Sequence, residues 1–415
     1  MRGRDARART SPPTSRHALS RRQLLLGGAV AGAGAAAAIG ADAVARVAGA
    51  SVADAPTAEP LHGDAVVPFH GAHQAAFTIP PQAHATMIAL DLLPATDADA
   101  LRRMLRVLSD DAARLTQGEP ALADSEPELA LVPARLTATI GLGSAAVALT
   151  GAQAPPWLAP LPSFAIDALE DAWSGGDVLL EVAGDDPLAV AHAQRMLLKG
   201  TRSFATIRWV QSGFRRSRGA EPQGTTMRNL FGQVDGTVNP QPGTADFDRL
   251  VWIREGWLAG GTSLVVRRIR MDLDRWDRLD RPGREQAVGR TLANGAPLTG
   301  RLEHDEPDFE ARTPIGFPVI PEFSHMRRAR SDDPSQRFHR RAFNYDERPA
   351  GASVSESGML FTAAQADPLA QFVPIQQRLS DLDLLNEWTT PIGSAVFAIP
   401  PGCEPGGFVG ETLFA

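Results

Sequence analysis

Apolar residues alternate with polar ones, or form short continuous runs, along the first half of the chain, which is the pattern of β-strands. The four segments with this pattern are 84–93, 136–142, 177–182 and 204–210. Between them, 96–118 and 187–198 carry apolar residues at helical spacing, and a glycine lies at or just after the end of each. The predicted order is β-α-β-β-α-β, the split unit of ferredoxin-like folds.

The second half of the chain has a similar succession of strand-like and helix-like segments. Its strand-like segments are 262–273, 358–365 and 393–399, and its helix-like segments are 276–292 and 368–379. A polar insertion, 293–357, interrupts this half, and a loop of that length inside a compact domain is more often functional than idle. We predict an α+β fold of the dimeric α/β-barrel type, in which two ferredoxin-like halves pack their antiparallel sheets together. An internal duplication without a shared site would show the same periodicity.

The chain has 415 residues, which is enough for about two or three domains. A stretch rich in Pro, Ala and Gly, 51–68, indicates a flexible tether before the folded body. We predict that the first ferredoxin-like domain spans 69–222 and that the second spans 223–415 and carries the candidate site residues.

The first fifty residues have the layout of an export signal. Seven arginines lie within 1–22, an apolar run follows over 24–39, and small residues come next. The run is short for a membrane span of about 20 residues. Arg21 and Arg22 precede Gln and three Leu, which resembles a twin-arginine signal. We therefore expect the twin-arginine machinery as a partner and a periplasmic or extracellular location, with an uncleaved membrane anchor as the alternative.

Charge and cysteine content exclude several classes of protein. The net charge is −7, although the first fifty residues carry eight arginines and only two acids, so the body is strongly acidic. Phosphate contacts supply most nucleic-acid affinity, so no nucleic-acid partner is expected. Cys403, the single cysteine, excludes an internal disulfide and any Cys-rich metal site. The sequence also has neither a Gly-x-Ser-x-Gly elbow nor a His-Glu-x-x-His pair.

Three segments of the second half carry candidate chemistry. In Phe-Gly-Gln-Val-Asp-Gly-Thr-Val-Asn-Pro, 231–240, two glycines flank Asp235, which alone is typical of a surface turn. His325 lies in the insertion and alone is typical of a structural histidine, but its Nε2 could bind iron while Nδ1–H donates to a neighbouring group. Arg340 and Arg341 precede aromatic residues, which alone is typical of a solvated basic turn.

Taken together and in this order, the three segments resemble the dye-decolorising peroxidases, a haem family. Asp235 matches the family's distal acid, His325 its axial histidine and Arg340 its distal arginine. Flanking residues that also match are Gly232, Gly236, Thr237, Asn239, Pro240 and Arg327. Further segments that resemble the family are 70–74, 80–82, 257–263, 267–270, 371–376, 384–387, 393–395, 400–402 and 413–414. The sequence departs from the family at 330–332, where Arg-Ser-Asp replaces a frequent Asn-Pro-Arg step, and at 342–343, where Ala-Phe replaces Gly-Tyr.

The resemblance implies a haem b peroxidase with one haem per chain. His325 would be the metal ligand, and Asp235 and Arg340 would be catalytic toward hydrogen peroxide. The residues expected to contact the cofactor are Gly236, Thr237, Val238, His325, Arg330, Arg340, Leu360 and Phe361. The carboxylate behind His325 is expected among Glu303, Asp305, Asp308 and Glu310.

The same resemblance implies that the enzyme oxidises a second molecule, the reductant. The reductants would be dyes or other bulky aromatic molecules, with electrons passing through Tyr345, Trp257 or Trp276. Further copies of the chain in a homo-oligomer are also expected. One alternative is a deferrochelatase or haem-binding protein that releases iron from haem for uptake. Another is a non-enzymatic domain of the same fold that holds a different ligand.

The export signal makes a direct prediction. Replacing Arg21 and Arg22 together by Lys should leave the precursor inside the cell, because the twin-arginine pathway reads the arginine pair itself. Immunoblots of cell fractions measure the retained share. The matched control replaces Arg7 and Arg9 by Lys, which keeps the basic charge and the motif. Unchanged export of the Arg21→Lys, Arg22→Lys variant would contradict the assignment.

Overall fold

A computed structural model describes residues 61–349 and 351–414, so the predicted signal (1–50) and most of the predicted tether lie outside the described residues. Residues His62–Ala415 form one compact unit. The last part of the predicted tether lies against this body, since the backbone N–H groups of Ala134 and Arg135 donate to the carbonyls of Gly63 and Ala65. No helix within the described ranges is long and apolar enough to cross a membrane.

The first half has the predicted β-α-β-β-α-β core. Its strands are β1 (His84–Leu92), β2 (Thr137–Leu142), β3 (Val178–Gly184) and β4 (Ala205–Phe214), and its helices are α1 (Ala98–Leu115), α2 (Ser144–Leu149) and α3 (Pro187–Thr201). The strands lie in the order β2-β3-β1-β4, and every neighbouring pair is antiparallel. This order is the one that a ferredoxin-like unit requires.

Local chemistry explains where the two long helices begin. The Asp97 carboxylate accepts a hydrogen bond from the N–H of Ala100 at the start of α1, and Asp186 does the same for Leu188 at the start of α3. The apolar face of α1 then packs with α3 and the outer face of the first-half sheet in one buried cluster. That cluster covers the side of the sheet that faces away from the second half.

The second half repeats the arrangement with more elements. Its strands are β5 (Thr262–Met271), β6 (His339–Arg340), β7 (Phe343–Glu347), β8 (Glu356–Gln365) and β9 (Thr389–Ile399). Its helices are α4 (Ala245–Val251), α5 (Leu273–Trp276), α6 (Arg281–Val288), α7 (His325–Ala329) and α8 (Phe372–Leu382). Strands β9-β5-β8-β7 lie in the same order as the four strands of the first half.

Two sequence expectations for this half need correction. The single helix expected over 276–292 is wrong, because the chain forms α5 and α6 instead. Asp280 caps the start of α6, and Pro282 lies in its first turn. The strand β7, which completes the second ferredoxin-like unit, lies inside the segment interpreted as an insertion. Its five residues include only two apolar ones among charged neighbours, so the pattern did not reveal it.

The two halves join into one closed sheet. β2 meets β9 at Leu142 and Ala398, and β4 meets β7 at Phe214 and Asn344. Because β8 also pairs with β5, eight strands form a ring within the described part of the chain. The predicted α+β fold with two ferredoxin-like halves is confirmed, and the two sheets are continuous at their edges.

The barrel interior is mainly apolar, and a buried ion pair between the two halves lies beside it. Side chains from both halves fill it, among them Met87, Trp209, Phe343, Leu360 and Phe397. Beside this core, Nε of Arg341 lies 3.3 Å from Oε1 of Glu181 on β3, and both side chains are buried. Arg341 also donates to the carbonyl of Ala76 at 2.6 Å and to the side chain of Gln82. The first half therefore holds the chain segment that follows β6.

Candidate functional site

A cavity of about 840 Å³ lies on the outer face of the second half. Its floor is the outward face of β5, β8 and β9, and its walls come from α6, α7, α8 and the 233–238 loop. The apolar part of its lining includes Met271, Met359, Phe361, Phe372, Ile375 and Leu379. Ile166 is the one lining residue that the described first half contributes. The volume is in the range of sites that hold an organic ligand.

One side of the cavity presents a histidine with a fixed ring. His325 is the first residue of α7, and its Nδ1 lies 2.6 Å from Oδ2 of Asp383. Asp383 is buried at the end of α8, where its other oxygen accepts the N–H of Leu385 at 3.0 Å. A ring whose Nδ1 donates to a carboxylate keeps Nε2 available as a ligand.

The surroundings of His325 also shift its pKa. Burial acts to lower its pKa, but the charge and hydrogen bond of Asp383 outweigh burial, so the pKa lies above its ordinary value. Two further groups act across the cavity, since Asp235 raises this pKa and Arg340 lowers it. All three residues singled out in the sequence therefore lie around the same cavity.

The carboxylate behind His325 was not among the residues expected from the sequence. Glu303, Asp305, Asp308 and Glu310 are wrong in this role: Asp305 and Asp308 accept from backbone N–H groups of their own loop, and Glu303 bonds two threonines. The partner is Asp383, 58 residues after His325. The only nearby signal was the Leu-Leu-Asn-Glu segment that begins at the next residue.

The other side of the cavity presents an acid paired with an arginine. Nη1 of Arg340 lies 3.0 Å from Oδ1 of Asp235, and Nδ2 of Asn229 donates to Oδ2 of Asp235 at 3.3 Å. Gly232 and Gly236 have φ angles of +80° and +125°, which residues with a side chain rarely adopt. The two glycines thus form the turns that carry Asp235 to the cavity, and the interpretation of this segment as an ordinary surface turn is wrong.

Most of the other expected contact residues line the cavity. These are Gly236, Thr237, Val238, Arg330, Arg340 and Phe361. Leu360 is the exception and is corrected here: its side chain lies in the barrel core, because successive residues of β8 face opposite sides of the sheet. Met359, on the same face as Phe361, takes the place that was expected for Leu360.

Arg290 and Gln233 line the cavity but did not emerge from the sequence, and Glu303 lines it in a role other than the one expected. Glu303 accepts hydrogen bonds from the hydroxyls of Thr226 and Thr237, at 2.6 Å and 2.9 Å. Arg290 donates to the backbone carbonyl of Glu303 and anchors this wall. Gln233 is buried, and its Oε1 has no hydrogen-bond partner within the described residues. Their flanking sequence has no catalytic pattern, so only the folded loop positions reveal them.

The aromatic residues named as electron carriers differ in exposure. Tyr345 and Trp276 are both about 1% exposed, so neither can touch a bulky molecule at the surface. The Arg268 guanidinium lies 4.4 Å from the centre of the Tyr345 ring, and burial raises the pKa of Tyr345 above its ordinary value. Trp257 is half-buried and donates to the carbonyl of Gln153.

Comparison with known proteins agrees with the fold and identifies the family of the chain. The family model described as Dyp-type peroxidase, N-terminal, matches residues 74–215, and the model described as Dyp-type peroxidase, C-terminal, matches residues 226–404. A dye-decolorizing peroxidase from Thermobifida fusca is 37% identical over 97% of this chain and 99% of its own. A deferrochelatase from Escherichia coli K12 is 32% identical over 81% of this chain and 84% of its own.

Solved structures give the same result. A DyP-type peroxidase from Cellulomonas bogoriensis is 53% identical, with a TM-score of 0.83 over 86% of this chain and 99% of that one. DtpA from Streptomyces lividans is 39% identical, with the same TM-score over 86% of this chain and all of that one. The two family models and these relatives place the chain among the oxidoreductases of the peroxidase class. The chain belongs to the Dyp-type peroxidase family.

Proposed function

We propose that the cavity binds one haem b per chain, with His325 as the axial ligand, and that the protein uses hydrogen peroxide to oxidise dyes or other bulky aromatic reductants. The observation that carries this proposal is the arrangement of two opposed groups around one large cavity. A carboxylate-backed imidazole, His325 with Asp383, faces it from one side, and the Asp235–Arg340 pair faces it from another.

The residues present fit such a cofactor. Nε2 of His325 is the ring nitrogen not used by Asp383 and can bind iron, while the apolar walls suit a flat macrocycle. Arg330 and Arg337 line the cavity with partly exposed side chains, paired with Glu306 and Asp246, and these are the cations that would meet the propionate carboxylates. Arg267 also lines the cavity but is buried in an ion pair with Asp167. DtpA of S. lividans, a relative with the same fold, has been solved in forms described as ferric and oxyferrous.

When bound, the haem supplies iron-centred redox chemistry toward peroxide. Asp235 holds and moves the proton. Its Oδ1 is bonded to Arg340 at 3.0 Å, while Oδ2 accepts only the longer bond from Asn229 at 3.3 Å. The second lone pair of Oδ2 is therefore the one that would accept a proton from one peroxide oxygen, which the carboxyl group then returns to the other. A positioned acid–base group of this kind contributes about 10²–10⁴-fold to a rate.

Arg340 and Asp383 act by charge. The Arg340 guanidinium offsets negative charge on the departing oxygen, and its bond to Asp235 fixes the orientation of that carboxylate. On the opposite side, Asp383 draws the Nδ1 proton of His325 and so makes Nε2 a stronger donor to a metal.

A second candidate function uses the same cavity. Relatives named deferrochelatase, such as the E. coli protein, are about as long as this chain and match most of it. In this alternative the protein binds haem and releases iron from it for uptake. The cavity geometry is common to both functions, so the products of the reaction distinguish them.

The test uses purified protein loaded with haem. Peroxidase function predicts a Soret band that changes when peroxide is added and an anthraquinone dye that loses its colour catalytically. Mass spectrometry of the extracted cofactor then reports its fate. Intact protoporphyrin together with released iron, and no dye turnover, would favour the deferrochelatase. A protein that stays colourless after expression with ample haem would refute both functions.

We also propose that the protein is exported by the twin-arginine pathway to a periplasmic or extracellular location. The support is the order of basic, apolar and small residues in 1–50 and the pair Arg21 and Arg22. This pathway carries folded proteins, which suits a cofactor that is loaded before export. The Arg→Lys exchange described above tests it.

Replacing His325 by Ala should abolish or greatly weaken haem retention, because the proposed bond from the protein to iron is lost. The ratio of Soret to protein absorbance after gel filtration measures it. His62→Ala is the control, since His62 is exposed and lies outside the cavity lining. An unchanged Soret band in the His325→Ala protein would remove His325 from the ligand role.

Replacing Arg340 by Leu should preserve haem but slow the reaction with peroxide by about 10²–10³-fold, since a charge aimed at the departing oxygen is lost. Stopped-flow absorbance in the Soret region gives the second-order rate constant. Arg103→Leu, at an exposed position of α1, is the control. Wild-type rates in the Arg340→Leu protein would exclude the arginine from the reaction.

A further inference from the structure

The strand that carries Arg340 is only two residues long. β6 pairs with β8, with Arg340 opposite Ala363. In an antiparallel ladder, alternate residues direct their N–H and C=O groups to opposite sides. Arg341 faces β8, since its N–H donates to the carbonyl of Thr362 at 3.1 Å and its own carbonyl accepts the Thr362 hydroxyl at 2.8 Å. The N–H and C=O groups of Arg340 therefore point away from β8. On that side of β6, the described sheet has no other strand that could bond them.

Within the described residues, the main-chain groups of Arg340 find their partner there in one side chain, that of Asn239. Oδ1 of Asn239 accepts the N–H of Arg340 at 2.7 Å, and Nδ2 of Asn239 donates to the carbonyl of Arg340 at 2.9 Å. A carboxamide has one acceptor and two donor hydrogens, so it presents the same pair of groups as a neighbouring strand would. Asn239 thus completes the ladder at the residue whose side chain reaches the cavity.

Asn239 belongs to the same loop as Asp235. Its N–H donates to the carbonyl of Gly236 at 3.1 Å, which closes the turn directly after the acid. The next residue, Pro240, accepts a bond from Nδ1 of His339 at 3.1 Å. One short loop therefore holds the guanidinium of Arg340 through Asp235 and its backbone through Asn239.

We propose that Asn239 is a positioning residue that sets the register of Arg340 relative to Asp235. The inference rests on the proposed function, because it gives Arg340 its role toward peroxide. An arginine side chain has several rotatable bonds, so its guanidinium is fixed only if its backbone is fixed as well. A misplacement of about 1 Å can cost about 10²-fold in rate. Asn239 is not among the residues that line the cavity, so it acts through Arg340.

The surrounding anchors should keep the variant folded. Arg341 remains tied to Glu181 and to the carbonyl of Ala76 when Asn239 is truncated, and the barrel core is untouched. Asn239→Ala should therefore release the peptide groups of Arg340 without unfolding β6.

A first experiment reads the backbone directly and needs no cofactor. Amide hydrogen exchange, measured by NMR on full-length protein labelled with ¹⁵N-arginine, reports Arg340 and Arg341 separately. In Asn239→Ala the Arg340 amide should exchange at least about tenfold faster, since its acceptor is gone, while the Arg341 amide keeps its bond to Thr362 and its protection. Unchanged protection at Arg340 would overturn the proposal.

A second experiment is a double-mutant cycle on the haem-loaded protein. Asn239→Ala should slow the reaction with hydrogen peroxide by about 10- to 100-fold at unchanged haem content. In an Arg340→Leu background, Asn239→Ala should have no further effect, because the group that it positions is already gone. Gln241→Ala is the matched control: Gln241 is an exposed amide of the same loop whose side chain, in the described part of the chain, donates to the Asn239 carbonyl and makes no bond to Arg340.

The outcomes separate this inference from the proposed function. If Asn239→Ala slows the Arg340→Leu protein as much as it slows wild type, Asn239 does not act through Arg340 and the positioning role is overturned. A wild-type rate in Asn239→Ala would overturn it as well. If the wild-type protein binds haem but does not react with peroxide, the proposed function fails first, and the role of Asn239 toward peroxide fails with it.

Discussion

The alternation of side chains along β8 is the constraint on which both the barrel core and the candidate site depend. Leu360 points into the barrel, whereas Met359 and Phe361 point outward and line the cavity. β5 obeys the same rule, with Val266 inside and Arg267 outside. One wall of the barrel is therefore also the floor of the site. A slip of one residue in either strand would exchange the two faces and destroy the core and the site together.

The polar groups of the site are held in pairs whose members come from distant parts of the chain. A buried carboxylate is costly unless it is bonded, and Asp383 satisfies this requirement with the His325 ring and the Leu385 N–H. Asp235 is bonded in the same manner to Arg340. Each pair fixes the orientation of its members before any ligand arrives, so the two sides of the cavity are organised by protein contacts alone.

The first half contributes little to the cavity surface, but its buried contacts hold residues next to the cavity in place. Arg341, which follows the cavity-lining Arg340, reaches into the first half and pairs with Glu181. Removing one member of such a buried pair typically costs about 3–5 kcal/mol, because an unpaired charge stays buried. The strand that carries Arg340 is thus held from one side by the first half, and from the other by the loop of Asp235 and Asn239. The first half therefore helps to position the arginine side of a site that lies in the second half.

Periodicity in the sequence was sufficient to predict the four strands and two long helices of the first half. It also predicted three strands of the second half, because alternation and helical spacing are local properties. Asp235, His325 and Arg340 were singled out by the order of their three motifs and its resemblance to a known family, and all three line the cavity. Strand β7, the Asp383 partner of His325 and the inward direction of Leu360 came only from the tertiary structure. Each depends on which distant segment packs against it: β7 on the edges of β4 and β8, Asp383 on the docking of α8 against α7, and Leu360 on the register of β8 in the closed barrel. Contacts between residues far apart in the chain leave no periodic trace in either segment, so folding alone decides them.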